Sequence, residues 1–205
     1  MLITSAHELL SFVYNYFPDL DDSDLVLTRL GDIYKHLNQP GKAISIYKLV
    51  IEKYPGTDGF VISSMRSADF SAKQSEKEAV YQMILSDYPD HSMANLAMLK
   101  LARLWNQSGQ HAKSIETMRR FLQKSHRQLK EEALFELQKS YIALFARWQA
   151  DSEFEKILIR FEKDKSLFKR FDQPELFLIT GDAYIKGHLY HRAAQALKKA
   201  QDLTP

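Results

Sequence analysis

Leu30-Gly31-Asp32-Ile33-Tyr34, Asn38-Gln39-Pro40-Gly41, Ala43-Ile44-Ser45-Ile46-Tyr47 and Glu52-Lys53-Tyr54-Pro55 form one stretch, and its reading decides the fold. From Gly31 the residues Tyr34, Ala43 and Pro55 stand at +3, +12 and +24, and from Gly181 the residues Tyr184, Ala193 and Pro205 stand at the same offsets. Pro55 and Pro89 lie 34 residues apart, each preceded by a tyrosine. A 34-residue period with small residues at fixed places is what stacked helix–turn–helix pairs require. The small residues let two antiparallel helices approach, the aromatics fill the gap between them, and the proline ends the second helix.

Working outward, helical periodicity runs almost end to end. Leu25 to Leu37 predicts one amphipathic helix, Asn38-Gln39-Pro40-Gly41 a turn, and Ala43 to Ile51 a second helix, giving a repeat over 24–57. The next, 58–91, opens on Thr57 or Asp58 as N-cap and keeps Tyr81 and Pro89, but Met65, Ala68 and Lys77 replace its Gly, Tyr and Ala. The third, 92–128, puts Trp105 in place of Tyr34, Ser114 in place of Ala43, and a turn at 106–110. The fourth, 129–173, exceeds the period, and its phase stays open. The fifth, 174–205, starts on Pro174, which suits a first helical turn. Ala6 precedes Pro18 by the same 12 residues, so 5–20 reads as a half repeat, and the chain as a single solenoid cut from a longer array, the alternative being that this helix is itself a cap. The expectation is an all-α fold of about eleven helices.

With 205 residues, 45% hydrophobic and 26% charged, the composition is that of a folded soluble chain, and 7 Gly and 6 Pro leave little room for long loops. The net charge of +2 forces no nucleic-acid or membrane partner. The absence of cysteine excludes disulfides, Cys-bound zinc and thiol catalysis, and is compatible with both cytoplasm and periplasm. No apolar run reaches the roughly 18 residues of a membrane span. No nucleophile–base pair, phosphate loop or metal-spaced cluster stands out, so the reading is a non-enzyme without cofactor or metal. His188 and His191 share a helix turn without a third ligand in view.

The openings Leu30-Gly31-Asp32-Ile33-Tyr34 and Thr180-Gly181-Asp182-Ala183-Tyr184, with the closings Phe17-Pro18-Asp19, Tyr54-Pro55-Gly56 and Tyr88-Pro89-Asp90, resemble the tetratricopeptide repeat (TPR) family. They are most similar to its bacterial cell-envelope branch of outer-membrane assembly lipoproteins and Tol–Pal-associated periplasmic proteins. The resemblance implies a right-handed superhelix whose first helices line a concave groove for a peptide or protein partner. It also implies an envelope location, although the lipobox cysteine of such lipoproteins is absent.

In that family the residue after the pattern's glycine faces the groove. That slot holds Asp32, Arg66, Arg103 and Asp182, and in the fourth repeat Lys139 or Ala143 according to phase. Lys35, His36, Phe70, Asn106, Gln107 and Lys186 lie near the same rim. Arg66, Arg103 and Lys139 could clamp an acidic segment of a partner. The same residues equally fit pairing between neighbouring helices, Asp32 with Arg66 for instance. Self-association through the end repeats is the second functional reading. Tyr34, Tyr47, Tyr81, Trp105, Tyr141 and Tyr184 are expected in the core; Phe70 and Trp148 fit the packing pattern less well. The basic stretches 124–130 and 163–171 lie at repeat junctions; the second, with interleaved aromatics, could touch anionic lipid or nucleic acid, but its acids favour a solvated linker.

Overall fold

The structure, a computed structural model, describes residues 8, 12, 22–123 and 129–204. The half repeat at 5–20, most of the basic stretch at 124–130, and Pro205 fall outside the described residues. Among those described there are eleven α-helices: α1 (Ser23–His36), α2 (Pro40–Lys53), α3 (Asp58–Phe70), α4 (Gln74–Asp87), α5 (Ala94–Gln107), α6 (His111–Gln123), α7 (Lys130–Ala150), α8 (Phe154–Lys163), α9 (Lys165–Phe168), α10 (Pro174–Lys186) and α11 (Tyr190–Asp202). No strand occurs among the described residues. The chain divides into two compact units, 1–101 and 102–205.

In unit one, α1 packs on α2 and on α3, α2 packs on α3, and α3 packs on α4. α1 thus touches its own second helix and the first helix of the next pair. Gly31 sets the α1–α2 crossing: a Cβ there would come within 2.5 Å of the Tyr47 ring, so only glycine admits the tyrosine at this depth. Ala43, Tyr47 and Val50 are the buried residues of α2, and Val50 forms one core cluster with Leu27 and Leu30. α3 is tied to α1 by a buried polar contact, in which Asp24 Oδ2 accepts the Gly59 N–H at 2.8 Å and thereby satisfies an orphan amide in the first turn of α3. Thr57 caps the same helix by accepting from the Phe60 N–H, as its position predicts.

In unit two, α6 packs on α7, α7 on α8 and α10, α8 on α10, and α10 on α11. Its core is strongly aromatic. Phe168 meets Tyr141 edge-on with centroids 4.9 Å apart and stacks on Phe161 at the same separation. Phe168 and Phe171 are fully buried, so the stretch 163–171 is not a solvated linker. It folds back as α9 because its two phenylalanines complete the core, while Lys163, Lys169 and Arg170 stay exposed.

The turns fix the repeat register. Asn38, Gly109, Ser152 and His188 all have φ between 57° and 74°. The next amide in each case donates back to a helix carbonyl: Gln39 to Tyr34 at 2.9 Å, Gln110 to Trp105 at 2.7 Å, Glu153 to Trp148 at 2.7 Å and Leu189 to Tyr184 at 2.8 Å. This is the left-handed helix ending that closes a helix while reversing the chain. Trp148 is therefore the fourth-repeat counterpart of Tyr34, and it stacks on Phe145 at 5.8 Å. The slot of Asp32 then falls on Ala146, not on Lys139 or Ala143. α7 runs 21 residues, so its surplus lies in its N-terminal half. Pro40 and Gly41 likewise belong to the first turn of α2 and not to the preceding turn.

Candidate partner-binding face

The first helices carry the charged candidates. In unit one Asp32 lies on α1, where its Oδ1 accepts the Tyr47 hydroxyl at 2.8 Å and sits 3.1 Å from Arg66 Nε on α3. One repeat on, Asp69 of α3 accepts the Tyr81 hydroxyl at 3.3 Å and pairs with Lys100 of α5. The arrangement recurs: a buried second-helix tyrosine holds a first-helix carboxylate, which pairs with a cation on the following first helix. Burial first, and the adjoining carboxylate second, push the Tyr47 hydroxyl well above the ordinary phenol range. Burial and Asp69 do the same for Tyr81.

Unit two carries its own row. Arg103 donates from Nε to Glu136 at 2.8 Å and from Nη2 to Glu132 at 2.9 Å, both on α7. Burial acts to lower the Arg103 pKa, but the two glutamates outweigh it and hold it above its usual value. Gln149 of α7 donates to Asp182 of α10 at 2.8 Å. Asp69, Lys100, Glu132, Glu136 and Gln149 were not among the sequence candidates. Helical spacing places Lys100 one turn from Arg103, but nothing local tells which residue meets it across a helix interface.

The remaining candidates surround these rows. Lys35 Nζ lies 5.8 Å from the Phe70 ring centroid, and Phe70 in turn is 6.4 Å from the Tyr47 ring, half-buried. Phe70 thus covers the end of the α1–α2 pair. Asn106 Oδ1 is 2.6 Å from His111 Nδ1, so this side chain fastens the α5–α6 turn. Burial, then the charge of Arg147, lowers the His111 pKa. His36, Gln107 and Lys186 occupy one register at the ends of α1, α5 and α10, and all three are exposed. Lys139 is exposed one helical turn from Phe135, its Nζ 5.5 Å from that ring.

Of the aromatics expected inside, Tyr47, Tyr81, Tyr141 and Tyr184 are buried, whereas Tyr34 and Trp105 are half-buried at the helix ends. Ala43, Ser114 and Ala193, which share the small position, are all buried. Away from the first-helix rows, Asp164 is almost wholly inaccessible. It takes the Tyr141 hydroxyl at 2.6 Å, Arg119 Nη1 at 2.5 Å and Arg160 Nε at 2.5 Å. No group of three or more His, Asp or Glu stands ready to hold a metal among the described residues. His188 instead contacts the Tyr190 hydroxyl and His191 contacts Gln195. No helix among the described residues is long and apolar enough to cross a membrane.

Helix pairs recurring along the chain, with no strand among the described residues, define an all-α helical-repeat protein. Residues 25–57 and 96–125 match the tetratricopeptide repeat family. No curated protein matches the chain. Among solved structures, YrrB, described as a TPR protein with an unusual peptide-binding site, is similar with a TM-score of 0.60 at 13% identity, over 97% of this chain and 94% of its own. A tetratricopeptide repeat protein from Parabacteroides merdae is similar with a TM-score of 0.52 at 14% identity, over 99% and 87%. These likenesses show a shared fold.

Proposed function

We propose that the chain is a non-catalytic interaction scaffold that holds a peptide or protein partner on its first-helix face. The row of braced charged side chains carries the reading: Asp32, Arg66, Asp69 and Lys100 in unit one, and in unit two Arg103 and Glu132 over the buried Glu136, with Asp182 held by Gln149. Pairing fixes their rotamers before any partner arrives, which reduces the ordering entropy a partner must overcome. Lys35, Lys139 and Lys186 pair with no carboxylate and Asp182 with no cation among the described residues, so the unneutralised charge on the first helices is basic on balance and suits an acidic segment, with His36 beside Lys35. The TPR matches, and the peptide-binding description given for YrrB, support the same reading. The sequence openings and closings favour a bacterial envelope setting.

Reversing Arg66 or Arg103 would set glutamate against Asp32 or against Glu132 and Glu136, and so confound binding with folding. The test uses Lys35→Glu/His36→Glu and Lys139→Glu/Lys186→Glu in a pull-down with mass spectrometry, with helix content checked by circular dichroism. A partner held by the wild type and lost by the well-folded variants supports the reading. Undiminished capture by both overturns it.

A second reading, self-association, rests on Leu178. By the turn register it corresponds to Thr28 and Leu99, which are buried, yet it is 50% exposed on α10. Ile185, Leu189 and Tyr190 are exposed beside the same turn. Sedimentation of wild type and Leu178→Glu would show an assembly larger than one chain that the variant dissolves.

A further inference from the structure

Within unit two a pocket of about 160 Å³ opens between α8, α9, α10 and α11. Phe161 and Tyr184 form its apolar floor, their rings edge to face at 6.3 Å. Glu162, Lys165, Arg192 and Lys199 stand around it.

Glu162 is already spent. It accepts the Tyr184 hydroxyl, lies 3.3 Å from Arg192 Nη1, and lies 3.6 Å from Lys165 Nζ. These contacts, the Tyr184 hydrogen bond foremost, hold its carboxyl below the usual range, so it is ionised near neutral pH. The Tyr184 hydroxyl hydrogen is already engaged in its bond to Glu162. Three cations therefore face one carboxylate, and Lys199 pairs with no acid among the described residues. The rim offers several N–H donors above an aromatic floor. A ligand that fits must bring acceptor oxygens and negative charge on a short apolar arm.

We propose that this pocket binds a glutamate side chain of an acidic peptide partner, its methylenes on Phe161 and Tyr184 and its carboxylate between Arg192, Lys165 and Lys199. No residue of the pocket belongs to the charged row of the first helices, so the site is independent of the function proposed above.

The test is an amide-resolved NMR titration of the full chain with a blocked heptapeptide carrying three central glutamates. Its glutamine counterpart and sodium phosphate are run in parallel. The glutamate peptide is expected to shift the amides of Gln195, Ala196 and Lys199. Lys199→Gln and Lys165→Gln are each expected to weaken binding about threefold, with the fold checked by the unperturbed remainder of the spectrum. Lys35→Glu/His36→Glu is expected to leave these shifts unchanged, which separates this site from the first-helix face. Equal shifts with the glutamine peptide, shifts confined to other residues, or no shift at all would overturn the proposal. So would phosphate alone shifting these amides while the peptide does not, which would mark a free-anion site.

Discussion

Tyr47 and Asp32 lie on the two helices of one pair, and the Tyr47 hydroxyl donates to Asp32 at 2.8 Å while Arg66 approaches the same oxygen from the next helix. One contact thus closes a helix pair and orients the charge that meets the following pair. Tyr47→Phe is expected to cost about 1 kcal/mol, the net contribution of such a hydrogen bond. The phenol's pKa is raised in the folded state, by burial and then by Asp32. Its contribution is therefore complete below the unfolded value near 10 and is lost as pH rises above it. Urea unfolding from pH 8 to 11 should show stability falling from about pH 10, with a shallower fall in Tyr47→Phe. An identical alkaline slope in both proteins would contradict this.

Gly31 and Gly181 share the signature position but not its surroundings. A Cβ at Gly31 meets the Tyr47 ring at 2.5 Å, and that ring is fully buried and fastened at its hydroxyl. At Gly181 it meets Leu197 Cδ2 at 2.6 Å and Cγ at 2.8 Å, in a half-buried side chain that is not fastened and can change rotamer. Alanine gains about 1 kcal/mol of helix propensity at either place. Overpacking of the rigid ring, at about 1–3 kcal/mol, should outweigh that gain at Gly31 but not at Gly181. Thermal melts of Gly31→Ala should fall clearly below wild type, with Gly181→Ala near it. Equal melts for the two variants would remove the argument.

Asp24 stands at the start of the 24–57 repeat. It is buried, and its Oδ2 accepts from the Gly59 N–H. Beside it Thr28 Oγ1 and Ser63 Oγ lie 2.9 Å apart. Asp24→Ala leaves a buried amide without a partner and should destabilise by about 1–3 kcal/mol. Asp24→Asn keeps an acceptor oxygen and should cost less. Chemical denaturation of the two variants checks the order.

The helix pairs were legible because their signals are local. Gly31 and Gly181, the Tyr-Pro closings and the alternation of apolar faces need no knowledge of distant residues. The phase of the fourth repeat was hidden because its register marker is Trp148, which lacks the glycine three residues before it: Phe145 stands there. Its helix ending is visible only as a positive φ at Ser152 and the amide bond from Glu153. The pairing of Asp32 with Arg66 could be named beforehand since both occupy the same slot one period apart. Arg103 with Glu136 could not, because the lengthened α7 carries Glu136 out of that slot. The basic look of 163–171 misled for a similar reason. Phe168 and Phe171 are core residues whose partners, Tyr141 and Phe161, lie on other helices.

Asp164 supplies the sharpest test of how unit two is held. Its side chain is 1% exposed and joins Tyr141, Arg119 and Arg160. Burial and the bond to Asp164 push the Tyr141 hydroxyl up to about 12, so it remains a donor at any ordinary pH. Asp164→Asn would leave two partly exposed guanidinium groups beside a neutral amide and should cost about 1.5–3 kcal/mol, the contribution of a hydrogen bond to a charged group. Arg119→Gln should cost far less, because Arg119 is a third exposed and Arg160 still answers the carboxylate. Asp164 also accepts the N–H of Leu167 at 2.9 Å through its backbone carbonyl, at the start of α9. Loosening it should speed hydrogen exchange over 165–171 before the rest of unit two opens. Equal melting temperatures for Asp164→Asn and Arg119→Gln, with unchanged exchange in that segment, would show that aromatic packing alone holds α9 in place.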